Sequence, residues 1–399
     1  MMRSHNGSLL WLFLFLFALS GCADSIDREI PPKGAIFSVT DMRLTADGTH
    51  LVVLSSNFKR AYDHGRVSLI DLEAGKVTDS LLVDSLGGRM ALADDEKTLY
   101  VTTRESHSLH RISILHDALG GLSFMYAGGD GTGGTLAEST VALAKEPYAM
   151  TLGENDRLLL VTHMLNGEVT AFQRTEGSPD TQIGTFKMEK GISDIVADEQ
   201  FGLFLTAHKS IAQLGVFRVT AETTGTQETP GTLSAAVSYL DLPLPMPGID
   251  IRDIVPSAVL PSVYYLSYRN RDDEGYEYPA VLSITLVESA GRLTAERRWI
   301  TALEGDLGEA ATVPCGTEPG MELVFVASPS EHTVTVHSSF DGTLLARKEL
   351  DGCDPYQLYS RADDPQRRLF IGCFTDDRIL VMNADCASAE RFTVAEVAP

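Results

Sequence analysis

Basic residues are scarce in this chain. Its 399 residues carry 32 Lys and Arg against 55 Asp and Glu, a formal net charge of −23. Proteins that grip nucleic acid or anionic lipid do so with Lys and Arg, so this balance argues against both as electrostatic partners. Long apolar runs are also missing. The longest, Leu9–Leu19, is about half of the ~20 residues a spanning helix needs. No sustained amphipathic helical pattern and no linker-like stretch divides the body of the chain. The five cysteines show no CxxC pair of the zinc-site kind, and no CxxCH that would attach a haem, which counts against autonomous electron transfer. GxSxG, HExxH and the calcium-loop pattern DxDxDG are absent too. The glycine-rich stretch 128–134 (GGDGTGG) lacks the Lys-Ser/Thr of a phosphate loop and precedes no helix, so it reads as a loop.

What is present is globular. The chain is 44% hydrophobic with 34 Gly and 17 Pro, which excludes collagen, a coiled coil and long disorder as its main body. The length suits two or three ordinary domains, or one large repeat domain with ample core.

The N-terminus reads as an address. Arg3 precedes the apolar run, which ends in Leu19-Ser20-Gly21-Cys22. These four residues resemble the lipobox of bacterial lipoproteins. The resemblance implies that residues 1–21 are a signal peptide, that Cys22 becomes the lipidated N-terminus, and that residues 22–34, with their Pro-Pro pair, form a tether. Acylation would anchor the protein firmly in a bilayer, since each buried CH₂ adds about 0.8 kcal/mol. In enteric lipoproteins an Asp directly after the lipidated Cys retains the protein in the inner membrane. Ala23 stands there instead, with Asp24 one later, which favours the outer membrane.

The body, residues 35–399, repeats. Short apolar strands recur behind Asp- and Gly-rich turns: LVVL at 51–54, LYV at 99–101, LLLV at 158–161, LFL at 203–205, VYYL at 263–266, LVFV at 323–326 and LFI at 369–371. Each is followed by a second strand of period 2, such as VSLIDL at 67–72 or ILVMN at 379–383, and then by a turn and a further strand. About seven units of roughly 45 to 60 residues, each offering four antiparallel strands, predict an all-β, seven-bladed β-propeller. RFTVAEV at 391–397 and AIFSV at 35–39 also read as strands, expected to meet and close the ring.

GRVSLIDLEAGKV (65–77), EPYAMTLGENDRLLLVTH (146–163) and CDPYQLYSRADDPQRRLFIGCFTDDRILVMNAD (353–385) resemble the YVTN-type propeller repeat, a family that includes lactonase-like enzymes. The resemblance extends over nearly the whole body and is weakest in the fifth unit. It implies the fold; the activity must be argued from a site.

Four cysteines, Cys315, Cys353, Cys373 and Cys386, fall in the last two units. Export through an oxidising compartment would join them in two disulfides. Of the three pairings, 353–373 and 315–386 are expected. Cys353 and Cys373 would face each other across one hairpin, about 5.5 Å apart in Cα.

A propeller's first strands line its channel. The residue before each first-strand core reads Asp41, Arg89, Ala149, Asp194, Asp253, Glu309 and Gln357, with the sixth unit aligning least well. Carboxylates around one Arg suit a cation or polar ligand, and equally suit a hydrated channel. Loops after the second strands carry Arg104, His107, His163, His208, Lys209, Tyr268 and Arg269 on the face expected to hold the channel mouth. His163 and His208 stand at equivalent positions, where they suit either acid–base or metal chemistry or plain exposed loops. Residues 269–278 (RNRDDEGYEY) form a polar, aromatic loop of the recognition type.

Together these features predict an envelope-anchored module whose propeller binds a protein or other envelope ligand, with no dedicated cofactor beyond the lipid. The alternative is a lactonase-like hydrolase using channel acids and a loop-face His, with a divalent cation possible in the channel.

Overall fold

The computed structural model describes residues 28–117, 120–125, 139–175, 179–222, 232–244, 249–271, 274, 276–315, 320–384, 386 and 392–398. Cys22, the segment read as a signal peptide and residues 128–134 lie outside the described residues. Seven antiparallel sheets follow one another along the chain, and six are four-stranded meanders of consecutive strands. This is the seven-bladed β-propeller. In the second blade the outermost place is shared by two segments. Leu122–Phe124 pairs with one end of the third strand and Ser139–Ala142 with the other.

The innermost strands are Val39–Leu44, Gly87–Leu92, Pro147–Gly153, Ile192–Asp198, Ile249–Pro256, Ala310–Pro314 and Pro355–Ser360. The second strands coincide with the apolar runs read from the sequence, and most of them are buried throughout. That continuous burial follows from their place between neighbouring blades. Each lies in the middle of its sheet with both faces covered, so both residue parities are apolar. The core is accordingly seven apolar layers, one between each pair of adjacent blades.

Closure differs from expectation. The final strand, Thr393–Ala398, completes the outer edge of the seventh blade, and the first strand begins only at Val39, inside the first blade. Residues 35–37 form no strand. Among the described residues the first and last blades share no ladder. They meet through side chains: Ile36, Val39 and Met42 pack with Phe370, Ile379 and Val397 in one apolar layer. Ser38 N donates to Asp377 Oδ1 (2.9 Å), and Arg368 Nη2 donates to Gly48 O (2.8 Å). Each blade already holds four strands of its own, so a sealing strand has no vacant place to fill.

Both disulfides pair as expected. Cys353–Cys373 joins the entry of the last blade's inner strand to the end of its second strand, with Cα atoms 4.9 Å apart. Cys315–Cys386 spans 5.4 Å between Cα atoms and ties the sixth blade to the seventh. In chain-entropy terms, closing loops of 20 and 71 residues stabilises the fold by about 3 and 4 kcal/mol.

Candidate functional site in the central channel

The upper face of the disc is defined here as the one with the loops from second to third strands and the connections between blades. The opposite face is the lower one. The predicted column Asp41, Arg89, Asp194, Asp253 and Gln357 comes together on the inner strands, with Glu309 one residue before its strand. Arg89 reaches across the channel from the second blade. Its Nη2 lies 2.6 Å from Glu309 Oε1 in the sixth blade, and its Nη1 donates to Gln357 Oε1 in the seventh (2.9 Å). The weakest member of the column, Glu309, is thus the Arg89 ion-pair partner.

The aspartates do something the sequence did not reveal. Asp41 accepts from the backbone N–H of Met42 (2.8 Å) in its own strand and of Met90 (2.6 Å) in the next blade. Asp194 accepts from Ile195 N (2.9 Å) and from Ile254 N of the next blade (3.2 Å). Asp253 accepts from Ala310 N of the next blade (3.0 Å). One construction is repeated three times: a carboxylate, buried at Asp41 and Asp253 and half-buried at Asp194, staples neighbouring inner strands through amides that would otherwise lack partners. Arg43 adds to the first staple, bonding Asp41 while its Nη2 donates to Met90 O (2.6 Å).

A cavity of about 490 Å³ opens below this layer, with Arg43, Arg89, Asp194, Asp253, Glu309 and Gln357 among its lining residues. Burial pushes the Glu309 carboxyl up to about 7, although Arg89 opposes the shift. Burial and the adjoining Asp253 raise Asp194 well above the carboxylate range. Among the described residues no three His, Cys, Asp or Glu side chains are grouped so as to hold a metal ion.

The histidines lie elsewhere. His163 and His208 end their second strands fully buried inside the blades. His163 Nε2 lies 2.9 Å from Thr170 Oγ1 and Nδ1 3.1 Å from Ala144 O. His208 Nε2 lies 3.0 Å from Thr206 Oγ1 and Nδ1 3.4 Å from Lys190 O. Burial lowers both pKa values. They brace blades, and neither lines the cavity, which corrects their assignment to a loop-face site. Tyr268 is likewise buried in the core.

A second layer, one residue above the acids, was missed. It comprises Thr40, Gly88, Tyr148, Ser193, Arg252, Gly308 and Tyr356. In six of the seven inner strands the ladder slips at this level, a bulge that leaves the residue unpaired. The Arg252 guanidinium carbon lies over the Tyr356 ring, 4.6 Å from its centre, joining the fifth blade to the seventh. Arg104 (5.6 Å) and Lys209 (6.0 Å) lie over Tyr148 of the third. Contacts between non-adjacent blades require these groups to converge at the channel. Gly88 leaves room for this layer, since a Cβ there would stand 2.7 Å from Tyr148 O.

Four cations therefore gather at the upper mouth. Arg104 pairs with Glu146 (2.6 Å) and Arg269 with Asp250 (3.4 Å). Among the described residues no carboxylate forms an ion pair with Arg252 or Lys209. Burial, and then the charge of Arg252, lower the pKa of Lys209. Burial raises the Tyr148 phenol to about 12.

No family model matches the chain, and no curated protein matches it. Solved structures do. The hydrazine synthase of Kuenenia stuttgartiensis is similar with a TM-score of 0.61 at 12% identity, over 91% of this chain and 99% of that one. The Cps50 (Swd1) propeller domain of Myceliophteria thermophila gives 0.59 at 11%, over 89% and 99%. The periplasmic gluconolactonase of Pseudomonas aeruginosa gives 0.54 at 14%, over 80% and 87%. Identities this low show the fold alone. The neighbours include a lactonase and propellers that are not lactonases, so the fold is compatible with binding and with hydrolysis.

Proposed function

We propose that the mature chain is a lipid-anchored binding module of the bacterial envelope, presenting the upper face of a rigid propeller to a protein or other envelope ligand. The observation that carries this reading is the division of the channel. The lower carboxylates are engaged by backbone amides and Arg89, whereas the upper mouth keeps two cations, Arg252 and Lys209, that form no ion pair with any described carboxylate. Fixed acids suit a scaffold, and free charge at an accessible mouth suits recognition. Lipidation of Cys22 would hold the disc near a membrane, with the outer membrane favoured by Ala23; the tether read over 22–34 is shorter than expected, because Glu29 bridges Tyr62 and Pro31 O accepts from Arg66 (2.5 Å), which docks its end on the first blade. The test is cross-linking in cells, followed by purification and mass spectrometry. A specific envelope protein that disappears when Arg269 and Lys209 are replaced by Glu supports the reading. Recovery of the same proteins with and without those substitutions would sink it. Cys22→Ser is expected to move the chain from the membrane to the soluble fraction.

One observation favours a second reading, a lactonase-like hydrolase. Glu309 titrates near neutrality above a cavity large enough for a small substrate, as a general acid or base requires. In this reading Glu309 and Asp194 act and the two buried histidines do not. Hydrolysis of a lactone panel by the purified chain, abolished by Glu309→Gln, would favour it over the binding reading.

A further inference from the structure

The upper mouth combines features that a merely solvated surface does not. Arg252 and Lys209 carry like charges close enough for one to depress the other's pKa, and both are partly buried. The chain has 55 acidic residues, and the mouth receives the carboxylates of Glu146 and Asp250, each already paired to another cation. Glu309 and Asp250 act on Arg252 through their fields, but neither forms an ion pair with it. Among the described residues two positive charges therefore remain without an ion pair at the channel mouth, on a molecule whose overall charge is −23. The Arg252 guanidinium is also positioned: its central carbon lies over the Tyr356 ring, and its planar fork of N–H donors suits an oxyanion. Lys209 is steadied by Tyr148 below its ammonium and by backbone bonds, Lys209 N to Gly191 O (2.7 Å) and Asp250 N to Lys209 O (3.1 Å).

We infer that the upper channel mouth is an oxyanion site, in which the Arg252 fork and the Lys209 ammonium bind a carboxylate or phosphate group from above the disc. The inference rests on the binding reading and names the chemistry that reading leaves open. Arg104 and Arg269, each paired with a rim carboxylate, form the outer part of the site and add attraction during approach. The oxyanion would separate the two like charges and accept hydrogen bonds from both.

The experiment is calorimetric titration of citrate and of inorganic phosphate into the purified soluble chain, residues 23–399, which retains the whole propeller. Parent, Arg252→Gln, Lys209→Gln and Arg218→Gln are compared. Arg218 lies on the outer part of the fourth blade, so its substitution changes net charge equally without touching the mouth. Expected is saturable binding of at least one anion, weakened about tenfold or more by either mouth substitution and unchanged by Arg218→Gln. Citrate without phosphate identifies a carboxylate site, and phosphate without citrate a phosphate site. Thermal melting keeps the result independent of heats, since a ligand of the folded chain raises Tm in the parent and not in the mouth variants. No binding, or equal weakening by all three substitutions, overturns the inference. If neither anion binds but the cross-linked partner still depends on the upper face, the oxyanion site falls and the binding reading stands. If an anion binds and no partner is recovered, the site stands and the protein-binding reading falls.

Discussion

The two layers of the channel differ by one residue along each inner strand and by nearly everything in their chemistry. In the lower layer every aspartate is tied to backbone amides, and Arg89 is held at both ends of its guanidinium. In the upper layer the rings and cations lean on one another, and Arg252 and Lys209 form no ion pair among the described residues. Charge near an axis is thus a poor guide to function until its partners are counted. A buried, fully bonded acid belongs to the fold, and an accessible, unmatched cation is available to a ligand.

That contrast can be broken at several points. The largest effect should come from Arg89→Ala, which leaves Glu309 buried without its partner. Denaturant unfolding is expected to show a loss of about 3–5 kcal/mol. Asp253→Ala should cost about 1–3 kcal/mol because Ala310 N loses its acceptor, while Asp253→Asn, which keeps an acceptor oxygen, should restore most of it. A null result for the alanine variant would show that the staple is not structural.

Next comes a pH effect. Glu309 is raised in the folded chain from 4.5 to about 7, so the folded state keeps a proton that the unfolded state releases in that window. Stability from this group is full below about pH 4.5 and declines as pH rises towards about 7. Asp194, shifted in the same direction, adds to the decline. Glu309→Gln removes the Glu309 part. Melting curves at about pH 5 and about pH 8 should therefore show the variant gaining on the parent at the higher pH. The smallest effect belongs to the upper layer: Arg252→Gln and Lys209→Gln should leave stability within about 1 kcal/mol of the parent, or raise it by relieving repulsion. A large loss there would erase the distinction between the layers.

The sequence showed the lower layer and hid the upper one for a single physical reason. Strand alternation sends neighbouring residues to opposite sides, so choosing Asp41, Asp194, Asp253 and Gln357 for the channel excluded the residue before each. The bulges at Thr40, Ser193, Arg252 and Tyr356 suspend that rule, and nothing in the composition of these strands announces them. His163 and His208 misled in a related way. They close apolar runs, which suggested the start of a loop, yet each ring turns back to bond a Thr of its own blade. The blade repeats and both cysteine pairs were legible because they depend on strand order alone. The manner of closure was not, since the amphipathic strands at both ends fit a shared blade as well as two separate ones.

The most direct test of the division between the layers is site-specific photo-cross-linking in cells. One probe replaces Leu165, exposed in an upper-face loop of the third blade, and another replaces Ala362 at the mouth of the lower cavity. A discrete adduct is expected from position 165, lost when Arg252 and Lys209 are both changed to Gln, and none from position 362. An adduct formed from position 362 and absent from 165 would contradict this division and move the binding surface to the cavity beneath the acids.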